Sequence, residues 1–315
     1  MLLAGEYYPD MVALTADLAE SVRLEFFREK FPERFFELGI AEQNMAAVAS
    51  GMAAMGKIPV IASYAVFSPG RNWEQIRTTI CYNDRHVVIV GSHAGLSVGP
   101  DGGSHQALED IALTRVLPRM TVFSPSDSIE TKKALLAAME IDGPVYIRLS
   151  RDKTPIMTTE ETPFEVGRGR IVFGSDENTD RLSHSVDQVG IIATGPILAN
   201  AIKAAEILKK QNIQAKILNI STIKPLDEET VVKIAEECEA IVTIEEHQIA
   251  GGLGSAIAEL LAQKLPTPIE FVGVRDSFGQ SGTSAELFDH YGLSESVIVS
   301  AAKRAIGRKR IWSIE

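Results

Sequence analysis

The chain has 315 residues, a formal net charge of −11 and a hydrophobic fraction of 45%. That length accommodates two domains with full cores, and the acidic balance excludes a nucleic-acid partner, because phosphate binding needs a basic face. No apolar run reaches a membrane span, so no membrane partner is expected. The two cysteines, Cys81 and Cys238, make neither a disulfide framework nor a zinc motif. With an N-terminus too short and acidic for a signal peptide, they point to a reducing, cytoplasmic compartment.

Residues 11–157 alternate strand and helix, within a first domain expected to span 1–157. A strand from Met11 to Thr15 ends at Asp17, and a helix is expected from Ser21 to Phe31. The stretch FFELGIAEQNM (Phe35 to Met45) reads as an apolar strand, 35–40, turning directly into a helix, 42–55. Strand 59–63 leads through a loop, Tyr64 to Arg71, to a helix from Trp73 to Tyr82. Strand His86 to Ser92 opens a glycine-rich loop that reaches Gln106; helix 106–115, strand 120–124, helix 128–140 and strand 145–150 follow.

Residues 158–187 read as a linker with a short strand, Arg168 to Phe173, and a polar surface run over 174–187. In 188–315 the rhythm returns. Strands 189–195, 215–220, 240–246 and 269–274 alternate with helices 197–210, 227–238 and 253–264, and two helices close the chain. Lys303, Arg304, Arg308, Lys309 and Arg310 read as a solvated helix end. The fold class is α/β, with two domains, each a mostly parallel sheet with helices on both faces.

Such sheets bind ligands beyond the C-terminal ends of their strands, and the notable polar residues fall there. Glu42 occupies a first helical turn. The plain reading is an acid favoured by the helix dipole; the sharper one is a carboxyl group that keeps a proton or holds a strong hydrogen bond among small and apolar neighbours. His93, Asp101 and His105 share the glycine-rich loop, where imidazoles and a carboxylate suit sugar hydroxyls and proton transfer. Their spacing matches no metal pattern. Ser21, at an expected helix start, and Arg151, after a strand, suit an anion. Tyr64 and Phe67 could wall a flat ring or simply pack at the sheet edge. Gly251-Gly252-Leu253-Gly254 follows a strand and opens a helix, but Ile257 replaces the third glycine of a dinucleotide fingerprint, which leaves a tight turn. There is no Walker A sequence.

Taken together, ADLAES, GIAEQNM, YAVFSPGRNWEQIR, SHAGLSVGPDGGSHQALED and LSR, followed by IKPLDEE and EEHQIAGGLGSAIAE, resemble the C-terminal half of a transketolase over nearly the whole chain. The likeness is strongest to the smaller subunit of transketolases split into two chains. It implies a thiamine-diphosphate pyrimidine-binding domain followed by a transketolase C-terminal domain. It implies that Glu42 bonds the aminopyrimidine and favours its imino tautomer, that Tyr64 and Phe67 surround that ring, and that Asp17 lies near the thiazolium. Ser21, His93 and Arg151 then match a sugar-phosphate clamp. Asp101 and His105 match residues reading donor hydroxyls, with His105 also counted as catalytic.

Two departures accompany the likeness. No GDG motif with a downstream asparagine is present, so the diphosphate and Mg²⁺ are expected on a partner N-terminal chain, with self-association as a dimer and a heterotetramer overall. No Thr-Arg pair precedes Asp17 either, so the start is truncated or the phosphate clamp is weaker. The expected function is ketol transfer from a ketose phosphate to an aldose phosphate in the pentose phosphate pathway. The rivals are a 1-deoxyxylulose-5-phosphate synthase, which shares GIAEQ and the DG-x-x-HQ loop, the β subunit of a 2-oxoacid dehydrogenase, and a non-catalytic scaffold half.

Overall fold

The computed structural model describes residues 1–174 and 187–312. Its elements are α1 (Leu2–Tyr7), β1 (Met11–Thr15), α2 (Glu25–Lys30), β2 (Phe35–Glu37), α3 (Glu42–Ala54), β3 (Ile58–Tyr64), α4 (Trp73–Gln75), β4 (Val88–Ser92), α5 (Asp110–Arg115), β5 (Thr121–Phe123), α6 (Ser128–Ala138) and β6 (Val145–Arg148). After them come β7 (Arg170–Phe173), β8 (Gln188–Ala193), α7 (Leu198–Lys210), β9 (Gln214–Asn219), β10 (Thr222–Lys224), α8 (Glu228–Cys238), β11 (Ile241–Gln248), α9 (Leu253–Lys264), β12 (Ile269–Val274), α10 (Ser284–His290) and α11 (Glu295–Trp312). Most of the expected polar run, residues 175–186, lies outside the described residues.

The first sheet has the order β10-β5-β6-β4-β3-β1-β2 and the second β12-β11-β8-β9-β7. All pairings are parallel except β10 with β5 and β7 with β9. Both faces are covered, and the strand period shows how. From β1, Val12 and Leu14 join a core with Met45, Ala46 and Ala49 of α3, while Met11 and Ala13 join another with Ala4, Phe27, Ala134 and Ala138. The small residues of α3 allow its backbone to lie close on the sheet. In the second sheet, Ile191 packs against α7 and α11. Ile192 points the other way, into the core shared with the first domain.

The strand expected over 35–40 stops at Glu37, because Gly39 (φ 66) turns the chain out of the extended region. That strand is also not buried: it forms the sheet edge, and Phe36 and Ile40 are exposed. The helix expected from Ser21 begins only at Glu25. A turn with Arg23 at φ 61 precedes it, so Ser21 caps no helix. The helix beginning at Trp73 widens to π geometry over Ile76–Cys81, where Ser50 Oγ donates to the Thr79 carbonyl at 2.6 Å. The helix expected from 106 begins at Asp110. Helix α1 and strand β10 were not anticipated.

Strand β10 lies after β9 in the chain yet pairs with β5, so a segment of the second half completes the first sheet. A buried polar lattice reinforces that junction. Arg148 Nε donates to Asp110 at 3.0 Å, Tyr146 Oη to Asp110 at 2.7 Å and an Arg148 terminal nitrogen to the Glu246 carbonyl at 2.7 Å. Removing one member of such a buried pair costs about 3–5 kcal/mol, because the charge left behind has no partner. Among the described residues no helix is long and apolar enough to cross a membrane. Cys81 and Cys238 are both buried, and neither is in a disulfide.

Candidate active site

The neighbouring parallel strands β6, β4, β3 and β1 deliver their C-terminal ends to one edge. Tyr64 closes β3 opposite Ser92 of β4, and Gly91 faces Arg148 of β6. Arg151, His93, Tyr64 and Asp17 thus leave the sheet side by side. Two of them, His93 (φ 54) and Asp17 (φ 63), adopt the left-handed backbone region. Non-glycine residues enter it at a cost that concentrates at functional sites.

Tyr64 and Phe67 stack with ring planes 6° apart and centroids 6.1 Å apart. Tyr64 also stacks on His93, with centroids 3.9 Å apart. His105 approaches Phe67 edge-on at 5.6 Å and Tyr64 at 6.2 Å. The structure therefore brings four of the candidates into one aromatic wall. Ser92 Oγ shares a hydrogen bond with His93 Nδ1 at 2.7 Å, and Ser104 Oγ one with His105 Nδ1 at 2.9 Å. Burial, then the Arg151 guanidinium, push the His93 imidazole down to about 4, against the opposing pull of Asp101. His93 is thus a neutral hydrogen-bonding group at neutral pH, and Arg151 and Asp101 are near enough to act on it.

Glu42 is buried in the first turn of α3. Its carboxylate accepts from Arg71 at 2.8 Å, and its carbonyl accepts from Asn72 Nδ2 at 3.1 Å. The Arg71 guanidinium also lies 4.7 Å from the Phe67 ring centroid, which ties Glu42 to the aromatic wall. A buried carboxylate beside stacked aromatic faces suits a flat ring that carries a basic nitrogen. Sequence reasoning missed Arg71; its signal was a lone cation in the loop just after two candidate aromatics.

The remaining candidates are looser. The Asp17 N–H donates to Glu37 Oε1 at 2.7 Å, and its side chain is exposed. Ser21 is exposed in its turn, and no hydrogen bond joins it to His93 or Arg151. Asp101 is exposed at the end of a 3₁₀ segment, Leu96–Asp101. Arg151 reaches back to donate to the Val98 carbonyl of the same segment. Among the described residues, no group of three or more His, Cys, Asp or Glu could hold a metal ion.

The Gly251–Gly254 turn is an anion cradle that the chain fills itself. The buried Glu245 carboxylate accepts from Leu253 N at 2.7 Å and Gly254 N at 2.8 Å, at the start of α9. A Cβ on Gly252 would lie 1.9 Å from that carboxylate. Nothing in the sequence near residue 245 announced this.

Residues 2–157 match the family profile described as "Transketolase, pyrimidine binding domain", and residues 180–298 match "Transketolase, C-terminal domain". A "Putative transketolase C-terminal section" from Methanocaldococcus jannaschii is 43% identical, covering 95% of this chain and 90% of that protein. A 6-deoxy-6-sulfo-D-fructose transketolase subunit from Clostridium sp. is 39% identical, covering 95% and 89%. A solved structure described as "Split gene transketolase, inactive beta4 tetramer" superposes with a TM-score of 0.88 at 42% identity, covering 98% of this chain and 96% of the other.

Proposed function

The chain belongs to the transketolase family, and on that premise we propose that it is the smaller subunit of a two-chain, thiamine-diphosphate-dependent transketolase. Its reaction moves a two-carbon ketol unit from a ketose phosphate to an aldose phosphate, in the cytoplasm and within the pentose phosphate pathway. The observation that carries this reading is the buried Glu42 carboxylate held beside the Tyr64–Phe67 stack. Glu42 would hold a nitrogen of the aminopyrimidine through a shared proton, Tyr64 and Phe67 would flank that ring, and Asp17 would lie on the thiazolium side. The cofactor supplies the nucleophilic carbon; the protein orients it and excludes water.

His93, Arg151 and Ser21 take the sugar phosphate in this reading, and Asp101 and His105 take donor hydroxyls, with His105 near enough to the aromatic wall to relay a proton. The exposed side of Ser21 makes it the weakest member. The sequence has no GDG motif with a downstream asparagine, which supports assigning metal and diphosphate to a partner N-terminal chain that carries one. The exposed edge strand β2 and Ile40, next to Glu42, offer that chain a surface. The similar structure described as an inactive β4 tetramer supports self-association of this chain and inactivity on its own. Residues 1–157 form the pyrimidine-binding domain, 158–187 the linker and 188–315 the C-terminal domain.

The test is reconstitution. The purified chain with thiamine diphosphate and Mg²⁺ should show no ketol transfer, and adding the cognate GDG-containing chain should restore it. Turnover by this chain alone, or none after mixing, would overturn the reading.

A further inference from the structure

The glycines of 91–103 lie among the candidates His93, Asp101 and His105, and three of them meet the second domain. A Cβ on Gly99 would lie 3.2 Å from the Gly282 carbonyl oxygen, on Gly102 2.6 Å from Ser281 Oγ, and on Gly103 2.5 Å from the Gly279 carbonyl oxygen. The loop that carries Asp101 and His105 therefore rests on residues 279–282 of the second domain, against the Gly279 and Gly282 carbonyls and the Ser281 hydroxyl. At Gly103 a side chain has no room, and at Gly99 (φ 73) and Gly102 (φ 77) the left-handed backbone asks for glycine as well.

Residues 276–284 are themselves anchored. Gln248 Nε2 donates to the Ser277 carbonyl at 2.7 Å, and Gln248 Oε1 accepts from Asp276 N at 3.0 Å. Tyr291 Oη donates to the Phe278 carbonyl at 2.9 Å. At the far end Ser284 Oγ bonds Asp152, the residue after Arg151. Gln106 locks the two segments together. It is 3% exposed. Its Nε2 donates to the Gln280 carbonyl at 3.0 Å and, more weakly, to the Leu96 and Gly99 carbonyls at 3.4 Å. Its Oε1 has no partner and sits so close to Gly279 that a Cβ there would be 1.7 Å away.

We propose that residues 276–284 of the C-terminal domain, locked through Gln106, are the brace that positions Asp101 and His105 for the donor sugar. Gln106 is a positioning residue; it follows His105 directly and acts through the loop. The inference rests on the sugar-binding reading of Asp101 and His105 given above. It also gives the second domain a task in the reaction, although that domain adds no group to the aromatic wall.

The experiment uses the reconstituted two-chain enzyme and three variants, Gly279→Ala, Gln106→Ala and the double variant. Gly279 has no left-handed backbone, so alanine strains chiefly the contact with the Gln106 amide, the next neighbour being Leu96 Cδ2 at 3.3 Å from the added Cβ. Each single variant should lower kcat/KM for a ketose phosphate about tenfold relative to hydroxypyruvate, which lacks the distal hydroxyls. The activation constant for thiamine diphosphate should not move. The double variant should be no worse than Gln106→Ala, since the obstructing amide is gone. Multiplying losses, or equal losses for both donors, would overturn the proposal.

Amide hydrogen exchange on this chain gives a readout independent of turnover. Residues 99–105 should exchange faster in Gln106→Ala, and unchanged exchange there refutes the brace even if Gly279→Ala fails to fold. If the wild-type mixture itself is inactive, the functional reading has failed, and exchange still decides the brace.

Discussion

Arg71 donates to the buried Glu42 carboxylate at 2.8 Å while its guanidinium lies over the Phe67 ring. The pair is asymmetric: the Glu42 side chain is 2% exposed and that of Arg71 46%. The arginine therefore keeps much of its hydration, and the carboxylate depends on it. Removing Arg71 leaves a buried carboxylate short of a partner, which costs roughly 1–3 kcal/mol, towards the low end here because water reaches the cation. Arg71→Ala should lower unfolding stability by about 1–2 kcal/mol. Combined with Glu42→Gln, the loss should fall well short of the sum. Urea unfolding of the four proteins measures this, and simple additivity would mean the contact contributes nothing.

Glu42→Gln should leave the fold intact and remove most turnover in the reconstituted enzyme. The amide keeps the shape of the buried side chain but cannot share a proton with a pyrimidine nitrogen as a carboxyl group does. Loss of such a contribution costs ~10²–10⁴ in rate. The relevant measurement is exchange of the thiazolium proton in the complex. Exchange at the wild-type rate in the variant would take Glu42 out of the reaction.

The parallel framework was legible because strands such as β1, β4 and β6, buried on both faces, read as apolar runs, and because parallel strands bring their C-terminal ends together. Hence the sequence alone assigns Tyr64, His93 and Arg151 to one edge. What escaped is tertiary. Strand β10 is only Thr222–Lys224, and its partner lies in the other domain. Arg23 and Gly39 end regular structure through local φ values, which shortened the expected helix at Ser21 and strand at Ile40. The glycines at 99, 102 and 103 look like ligand-loop glycines in sequence, because a close approach of backbone and a close approach of substrate ask for the same residue.

Glu245 supplies a pH-dependent prediction. Burial pushes its carboxyl up to about 7, against the pull of the Gly254 and Leu253 N–H groups and of Arg148 and Arg115. His247 Nδ1 stands 3.7 Å away, but burial lowers that imidazole, so it offers little charge at neutral pH. The folded chain thus retains a proton that the unfolded chain releases near 4.5. The stability that Glu245 contributes is complete below that value and is lost as pH rises through about 7. Glu245→Gln cannot titrate. Its Tm relative to wild type should therefore climb by a few degrees between about pH 5 and 8. A difference in Tm that stays constant over that range would place the ionisation elsewhere.

Arg151 and Asp101 test the two ends of an elongated pocket. Arg151 is exposed beyond β6, where its guanidinium already reaches the Val98 carbonyl and lowers the neighbouring His93 imidazole. If it also clamps a sugar phosphate, Arg151→Ala removes a charge-assisted hydrogen bond of about 1.5–3 kcal/mol. That corresponds to roughly a tenfold to hundredfold loss in kcat/KM for phosphorylated donors. Hydroxypyruvate has no phosphate to lose and should suffer much less. Asp101→Ala should behave differently: with the phosphate end intact, the turnover number falls and donor stereochemistry relaxes, because the lost contact is to hydroxyls near the reacting carbons. A 2-oxoacid dehydrogenase-like site would need no phosphate clamp, and there Arg151→Ala would treat both donors alike. That result would sink the phosphate assignment and, with it, the roles given to His93 and Ser21.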